Sequence, residues 1–148
     1  MLIDAQLAVS TNQVVTTTAV STNAIDTGAS IPVRNVGWGE EMRMMVQTAT
    51  TVTAAGAATV TFEVIQADDA ALTTNVETLI ASAAIGKAAL TAGGALPLDV
   101  VLPANTRRYI GVRYTVGTGP LTAGAFTAAL VHDTDRQKFY ANGYPNLA

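Results

Sequence analysis

The sequence has no cysteine, one histidine and few charged or aromatic side chains. Without cysteine, a disulfide framework, a thiolate metal site and a cysteine nucleophile are all excluded. Charged residues make up 13% of the chain, about half of the share found in ordinary soluble domains, and the net charge is −3. Nucleic-acid binding and polybasic membrane binding both need a basic face, so we expect neither kind of partner.

What the sequence does contain is alanine, threonine and valine, at 27, 22 and 16 positions of 148. This length suits a single domain, so we expect one domain over residues 1–148. Asp4 stands where a secretory signal would carry positive charge, and there is no cysteine, which fits a chain made and used in a reducing cytoplasm or one indifferent to redox. The uncharged stretches 5–25, 44–62 and 114–131 are rich in threonine and other polar residues, so we predict that none spans a membrane.

Apolar and polar residues alternate with a period of two, which is typical of β-strands. The pattern predicts strands in the following ranges: 42–47, 59–64, 96–102, 108–114 and 124–132. Residues 13–20 and 78–85 are further strand candidates, although the alanine content of the second would also favour a helix. Turn residues separate these runs, and no helix of twelve or more residues is predicted. We therefore predict an all-β domain, either an antiparallel β-sandwich, a barrel or a jelly roll.

Three short motifs have a chemical interpretation and a structural one. His132 beside Asp133 and Asp135 has the residue types of a metal or acid–base site, but a strand end followed by a solvated turn explains it better. Asp68 and Asp69 carry the oxygen ligands that calcium prefers, yet they lack the spacing of a calcium loop, which favours a solvated turn. The Gly-Thr-Gly at 117–119 resembles part of a phosphate loop, but it has no lysine and predicts a hairpin turn.

Two further positions are candidates for contact with a partner. Trp38 lies between two glycines, so it is either an exposed anchor for a protein or a sugar, or a plug at one end of the fold. Arg107 and Arg108 fit a solvated strand start, with an ion pair to a partner as the alternative. The sequence has no Gly-x-Ser-x-Gly motif, and we expect neither enzymatic activity nor a cofactor or metal.

Three segments carry a resemblance to a known family: MLIDAQLAVS at 1–10, AAGAATV at 54–60, and RYIGVRYTVGTGP at 108–120 with TAG at 122–124. Together they resemble the capsid cement (decoration) proteins of tailed bacteriophages, of the type found on a Bordetella phage. The resemblance implies a jelly-roll subunit on the outer surface of the virion, which binds as a homodimer, or alternatively a trimer, and bridges neighbouring major capsid proteins. It implies no catalytic residues.

A surface so poor in charge is prone to association unless neighbours cover it. We expect an N-terminal arm (about 1–12) and a C-terminal tail (about 136–148) to contact such neighbours. The predicted interface residues are Leu2, Ile3, Arg34, Trp38, Arg107, Phe139, Tyr140 and Tyr144. The alternatives are a non-catalytic carbohydrate-binding or host-attachment module that uses Trp38, Tyr140 or Tyr144, and a small hydrolase or isomerase that depends on His132.

Overall fold

A computed structural model describes residues 3–28, 36, 39, 41–105 and 107–132. This part of the chain forms ten β-strands and one turn of 3-10 helix (Lys87–Ala89). The strands are β1 (Ala8–Val14), β2 (Ala19–Val20), β3 (Ile25–Asp26), β4 (Arg43–Thr53), β5 (Thr59–Ala67), β6 (Glu77–Ala81), β7 (Ile85–Gly86), β8 (Leu98–Val101), β9 (Tyr109–Gly117) and β10 (Ala123–Val131).

The strands form two antiparallel sheets with the orders β1-β10-β4-β8 and β2-β9-β5-β6. The short β3 pairs with β9, as β2 does, and β7 pairs with β5, as β6 does. Strand β3 therefore continues the position of β2 in the sheet, and β7 continues that of β6. With these pairs merged, the eight positions follow the orders 1-8-3-6 and 2-7-4-5. Eight strands that wind back and forth between two sheets in this way are a jelly roll, which confirms the predicted fold class.

Most predicted strands are present, with changed limits. The strands predicted at 59–64, 108–114 and 124–132 are confirmed as β5, β9 and β10, and those at 42–47 and 96–102 overlap β4 and β8. The candidate at 78–85 forms the short strands β6 and β7, not a helix. As predicted, the described residues contain no helix of twelve or more residues.

Two local predictions are wrong, and both concern turns that cross between the sheets. Residues 13–20 do not form one strand, because β1 ends at Val14 and β2 begins at Ala19 in the other sheet. The Gly-Thr-Gly motif does not close a hairpin, because β9 and β10 also belong to different sheets. In each case the residues alone fit a strand or a hairpin turn. Pairing with strands that are distant in the sequence places the two neighbouring strands in different sheets.

The three buried aromatic rings of Phe62, Tyr114 and Phe126 lie at the centre of the core between the sheets. Phe62 meets the other two rings edge-on, at centroid distances of 5.9 and 5.1 Å, while Tyr114 and Phe126 stack at 5.3 Å. The Tyr114 hydroxyl donates a 2.8 Å hydrogen bond to Ser10 Oγ, and burial raises the pKa of Tyr114 to about 12. This bond joins β9 in one sheet to β1 in the other.

The predicted N-terminal arm includes part of the fold itself. From Ala8 onwards it is the edge strand β1, which pairs with β10. Contact of the arm with neighbouring subunits stays a prediction.

Strand β10 is buried on both faces of the sheet, as the sequence predicts. The short side chains of Ala125, Ala128 and Ala129 make this possible, because they take up little space on either face.

Candidate assembly interface

Of the eight predicted interface residues, the structure describes Ile3 and Arg107. Ile3 precedes β1 and is 40% exposed, which makes it one of the more exposed large apolar side chains. The other six lie outside the described residues: Leu2, Arg34, Trp38, Phe139, Tyr140 and Tyr144. Their part in an interface stays a prediction.

The strands that flank these residues in the sequence nevertheless begin or end at one end of the sandwich. At that end β1, β4 and β9 begin, and β3 and β10 end. The register places Val131 opposite Arg43 in one sheet and Asp26 opposite Tyr109 in the other. The chain therefore enters and leaves the described fold at the same end, which we call the arginine end. It is defined by the following charged residues: Asp26, Asp68, Glu77, Arg107 and Arg108.

Arg107 is held within its own chain at this end. Its Nη1 donates hydrogen bonds of 2.9 and 3.0 Å to the two oxygens of Asp68, and its Nε lies 3.7 Å from Glu77 Oε2. Its backbone N–H donates to Gln66 Oε1 at 3.2 Å, and its carbonyl accepts a 2.8 Å bond from Asn105 Nδ2. The predicted solvated strand start is thus an intramolecular ion pair with a side chain 31% exposed.

Asn105 extends this network to the segment that contains Trp38. Its Oδ1 accepts a 3.0 Å hydrogen bond from the backbone N–H of Val36, which also packs against the main core. The main chain of Val36 therefore lies beside the strand start at Arg107. Trp38 itself lies outside the described residues, and its role as an anchor or a plug stays a prediction.

Arg108 forms a second ion pair at the arginine end. Its Nε and Nη2 donate to Asp26 at 2.6 and 2.7 Å, and its guanidinium carbon lies 4.9 Å from the centre of the Tyr109 ring. The hydrogen bonds to Asp26 raise the pKa of Arg108. Because two of the three guanidinium nitrogens face the carboxylate, the two strands β3 and β9 are joined by a planar two-bond contact.

The turn that begins at Asp68 and Asp69 is more ordered than the solvated turn predicted from the sequence. Asp69 accepts hydrogen bonds from the backbone N–H groups of Thr73 and Thr74 at 2.9 and 2.7 Å, and these bonds lower its pKa. Asp68 accepts a 2.7 Å bond from Asn75 Nδ2 besides those from Arg107, and its pKa is lowered too. The carboxylates therefore brace the loop that joins β5 to β6.

That loop covers the outer face of one sheet with Leu72. The Leu72 side chain is buried beside Ile65 and Ala67, although its backbone has a φ of 57°. It fills the space above Gly111, where an added Cβ would lie 2.3 Å from Leu72 Cδ1. A positive φ is costly for a leucine, so burial and the bonds to Asp69 must offset local strain.

Two more ion pairs lie along the strands. Arg113 donates to both oxygens of Glu63 at 2.8 Å, and Thr115 Oγ1 donates to Glu63 Oε2 at 2.6 Å. The bonds from Arg113 are the main reason why the pKa of Glu63 falls to about 2. Arg43 donates to Asp99 at 2.8 Å across β4 and β8. Sequence reasoning missed both pairs, because only the strand register brings the partners together.

The opposite end of the sandwich, which we call the neutral end, consists of residues 14–18, 53–58, 86–89 and 117–122. Among its described residues Lys87 is the one charged side chain, and its ammonium donates to the carbonyl of Ala54. Val14 is 70% exposed here, more than the other exposed large apolar side chains of the described part. Threonine, alanine and glycine form most of the remaining surface.

His132 directly follows β10 and is exposed, as the strand-end interpretation predicts, while Asp133 and Asp135 lie outside the described residues. Within the described ranges, no group of three or more histidine, cysteine or acidic residues is placed to hold a metal ion. None of the helical structure in those ranges is long and apolar enough to cross a bilayer.

Comparison with known proteins identifies the family. No curated protein matches the chain. The family model of Bbp16, a Bordetella phage protein family, matches residues 9–130, from the beginning of β1 almost to the end of β10. The match covers most of the 148 residues and nearly all of the jelly roll. The chain therefore belongs to the Bbp16 family and is a phage-related protein.

Proposed function

We propose that this protein is a virion structural protein that binds the outer capsid surface and stabilises the assembled shell by bridging major capsid proteins. Membership of a phage protein family is the observation that carries the proposal. The jelly roll supports it, because its two sheets form a rigid body with turns at both ends that can meet different neighbours. The protein acts as a homo-oligomer in this proposal, with a dimer favoured over a trimer.

The stabilising effect follows from mass action. A subunit that binds only the assembled shell lowers the free energy of that state by an amount that grows with its concentration. A subunit that touches two shell proteins gains further, because its second contact forms at high effective concentration. Neither step requires catalysis, a nucleotide or a metal, and we propose that the protein uses none.

The charges of the described residues support a contact that depends little on salt. All four described arginines bind carboxylates of their own chain: Arg43, Arg107, Arg108 and Arg113. These groups are therefore already neutralised before a partner arrives. Screening by salt weakens exposed charge pairs most, so a contact built on threonine and alanine should tolerate it.

Co-sedimentation of the purified protein with empty shells tests the proposal. We expect binding that saturates at a fixed ratio of this protein to major capsid protein, because a lattice offers a fixed number of equivalent positions. Absence of binding to intact shells would contradict the proposal. So would a glycan-array signal without shell binding, which would favour the carbohydrate-binding or host-attachment alternative.

A further inference from the structure

We propose that the loop between β5 and β6 is a lid, which opens and closes over an apolar pocket in the outer face of the β2-β9-β5-β6 sheet while the jelly roll stays folded. The lid consists of residues 68–76, and Leu72 is the side chain that fills the pocket. The separation of this pocket from the main core, the bonds within the lid and the backbone of Leu72 all support an independent opening.

The pocket under the lid is an apolar cluster of its own. Ile65 and Ala67 are fully buried in it, although they do not belong to the main core between the sheets. Gly111 lies opposite Ile65 in the strand register, and its missing side chain leaves the room that Leu72 takes. Partly buried residues complete the walls: Val20, Ala24, Val76 and Tyr109. The departure of Leu72 would therefore leave the packing between the sheets in place.

Most hydrogen bonds of the lid lie within the lid itself. The Asp69 carboxylate accepts bonds from Thr73 N–H, Thr73 Oγ1 and Thr74 N–H at 2.9, 2.8 and 2.7 Å. Asp68 N–H donates to the Thr74 carbonyl at 3.1 Å, and Leu72 N–H donates to the Asp69 carbonyl at 3.1 Å. None of these bonds has to break when the lid leaves the sheet, so opening leaves few polar groups without a partner.

The polar attachment of the lid to the sandwich is weak. Among the described residues, Arg107 holds it from outside through the two bonds from its Nη1 to Asp68, and the Asp68 side chain is 43% exposed. Exposed ion pairs of this kind contribute little to stability. At the base of the lid, Gln66 lies opposite Glu77 and donates to it at 2.9 Å, a contact that can remain as the hinge. Opening therefore costs mainly apolar burial, above all that of Leu72.

The backbone of Leu72 lowers this cost further or leaves it unchanged. Its φ of 57° lies in the left-handed region, which a leucine rarely adopts. In the open lid the residue either keeps this conformation or relaxes to an ordinary one. Relaxation occurs only if it lowers the free energy of the open state, so the strain can make opening easier but not harder.

An open lid changes the surface that the arginine end presents. The closed lid exposes polar side chains there, among them Asp68, Thr73 and Thr74. The open lid would uncover Ile65 and Ala67 instead. The same part of the molecule would thus alternate between a polar surface and an apolar pocket that one leucine side chain fills.

Thiol labelling of the full chain without shells tests the lid. The natural chain has no cysteine, so each variant carries one thiol. We compare Ala67→Cys, under the lid, with Ala128→Cys, in the main core; both alanines are 0% exposed. A buried thiol reacts with a thiol reagent such as DTNB only after an opening exposes it. We expect Ala128→Cys to react at the rate that its global unfolding predicts, and Ala67→Cys to exceed its own such rate at least about tenfold.

Urea separates a local opening from global unfolding. A local opening exposes little surface, so labelling of Ala67→Cys should hardly change at low urea concentrations, whereas labelling of Ala128→Cys should rise steeply. Urea unfolding followed by circular dichroism gives the global unfolding free energy of each variant, which removes any difference in stability between them. If Ala67→Cys does not fold, Ile65→Cys takes its place, since Ile65 is buried in the same pocket.

Two results would overturn the lid. One is labelling of both thiols at the rates that global unfolding predicts, with the same steep urea dependence. The other is labelling of Ala128→Cys as far above its predicted rate as Ala67→Cys, because the main core would then open together with the loop. Since the chain is labelled in the absence of shells, these results do not depend on whether the protein binds a capsid.

Discussion

The two ends of the sandwich close their loops by different means. At the neutral end, the connections β1–β2, β4–β5 and β9–β10 have four or five residues, and β7–β8 has eleven, which include the 3-10 turn. All four are tied mainly by backbone hydrogen bonds. At the arginine end, the connections β8–β9, β5–β6 and β3–β4 have seven, nine and sixteen residues. The described parts of these longer connections are fixed by charged and amide side chains.

The difference explains where this chain places its few charges. A short turn between packed strands has little freedom, so backbone bonds are enough to fix it. A longer loop loses more entropy when it is ordered. The longer loops at the arginine end are held by side chains that reach across them, whereas β7–β8 is held by its 3-10 turn and by backbone bonds such as that from Gly93 N–H to the Thr48 carbonyl. The charged residues at the arginine end are therefore used to hold the fold, while Lys87 is the one charged side chain among the described residues of the other end, which suits contact with an uncharged surface.

The largest expected effect comes from the loop at the arginine end. Leu72→Ala removes the buried side chain that covers Ile65 and Ala67, and we expect a loss of about 2–3 kcal/mol of unfolding free energy. Val14→Ala is the matched control at the neutral end, where the side chain is 70% exposed; its effect should stay within about 0.5 kcal/mol. Equal effects in urea denaturation would contradict the claim that Leu72 packs the arginine-end loop onto the sheet.

The next effect concerns the ion pair on the strands between the ends. Glu63→Gln removes the charge that Arg113 binds, and we expect a loss of about 1–2 kcal/mol at pH 7. The folded-state pKa of Glu63 is lowered from 4.5 to about 2, so its contribution is complete above pH 4.5 and is lost as the pH falls through 2. The difference between wild type and variant should therefore shrink over this range; a constant difference would argue against the ion pair.

A smaller effect is expected for the exposed pair at the arginine end. Asp26→Asn keeps the shape of the side chain but removes the charge that Arg108 binds. Exposed ion pairs contribute little, so the melting temperature should fall by no more than about 2 °C. A much larger drop in differential scanning calorimetry would mean that the β3–β9 contact is a main support of the fold.

The smallest effect is expected from salt. If uncharged side chains form the contact with the shell, the Kd for shells should change little between low salt and about 0.5 M sodium chloride, because the four described arginines are already paired within their own chain. Sedimentation at several salt concentrations measures this directly. A steep weakening with salt would mean that ion pairs with the shell proteins hold the complex together.

The sequence predicts the fold class because strand periodicity and turn residues are local signals. Alternation at Thr59–Ala67 and Tyr109–Gly117 gives the strands directly. Which sheet each strand joins depends on distant pairing, so the turns after Val14 and Gly117 could not be assigned from their own residues. The pairing of Glu63 with Arg113 has the same origin, since fifty residues separate them and only the register brings them together.

The candidate interface could be predicted only as a list of residues. Nothing in the positions of Ile3 and Arg107 along the chain shows that both belong to one end of the molecule, since the strand directions decide this. Arg107 also shows why the sequence alone does not identify the partner of an ion pair. A pair of arginines before a strand can bind a carboxylate of a partner protein or a carboxylate of the same chain. Here the partners are Asp68 in the β5–β6 loop and Glu77 at the start of β6.

Calorimetry of shells tests the central claim most directly. Shells stripped of this protein and shells saturated with it are heated under the same conditions, and the temperature at which the lattice melts is compared. The account predicts a higher melting temperature for saturated shells, which falls towards the stripped value as the protein is diluted below saturation. Equal melting temperatures for stripped and saturated shells would contradict the claim that this protein stabilises the assembled capsid.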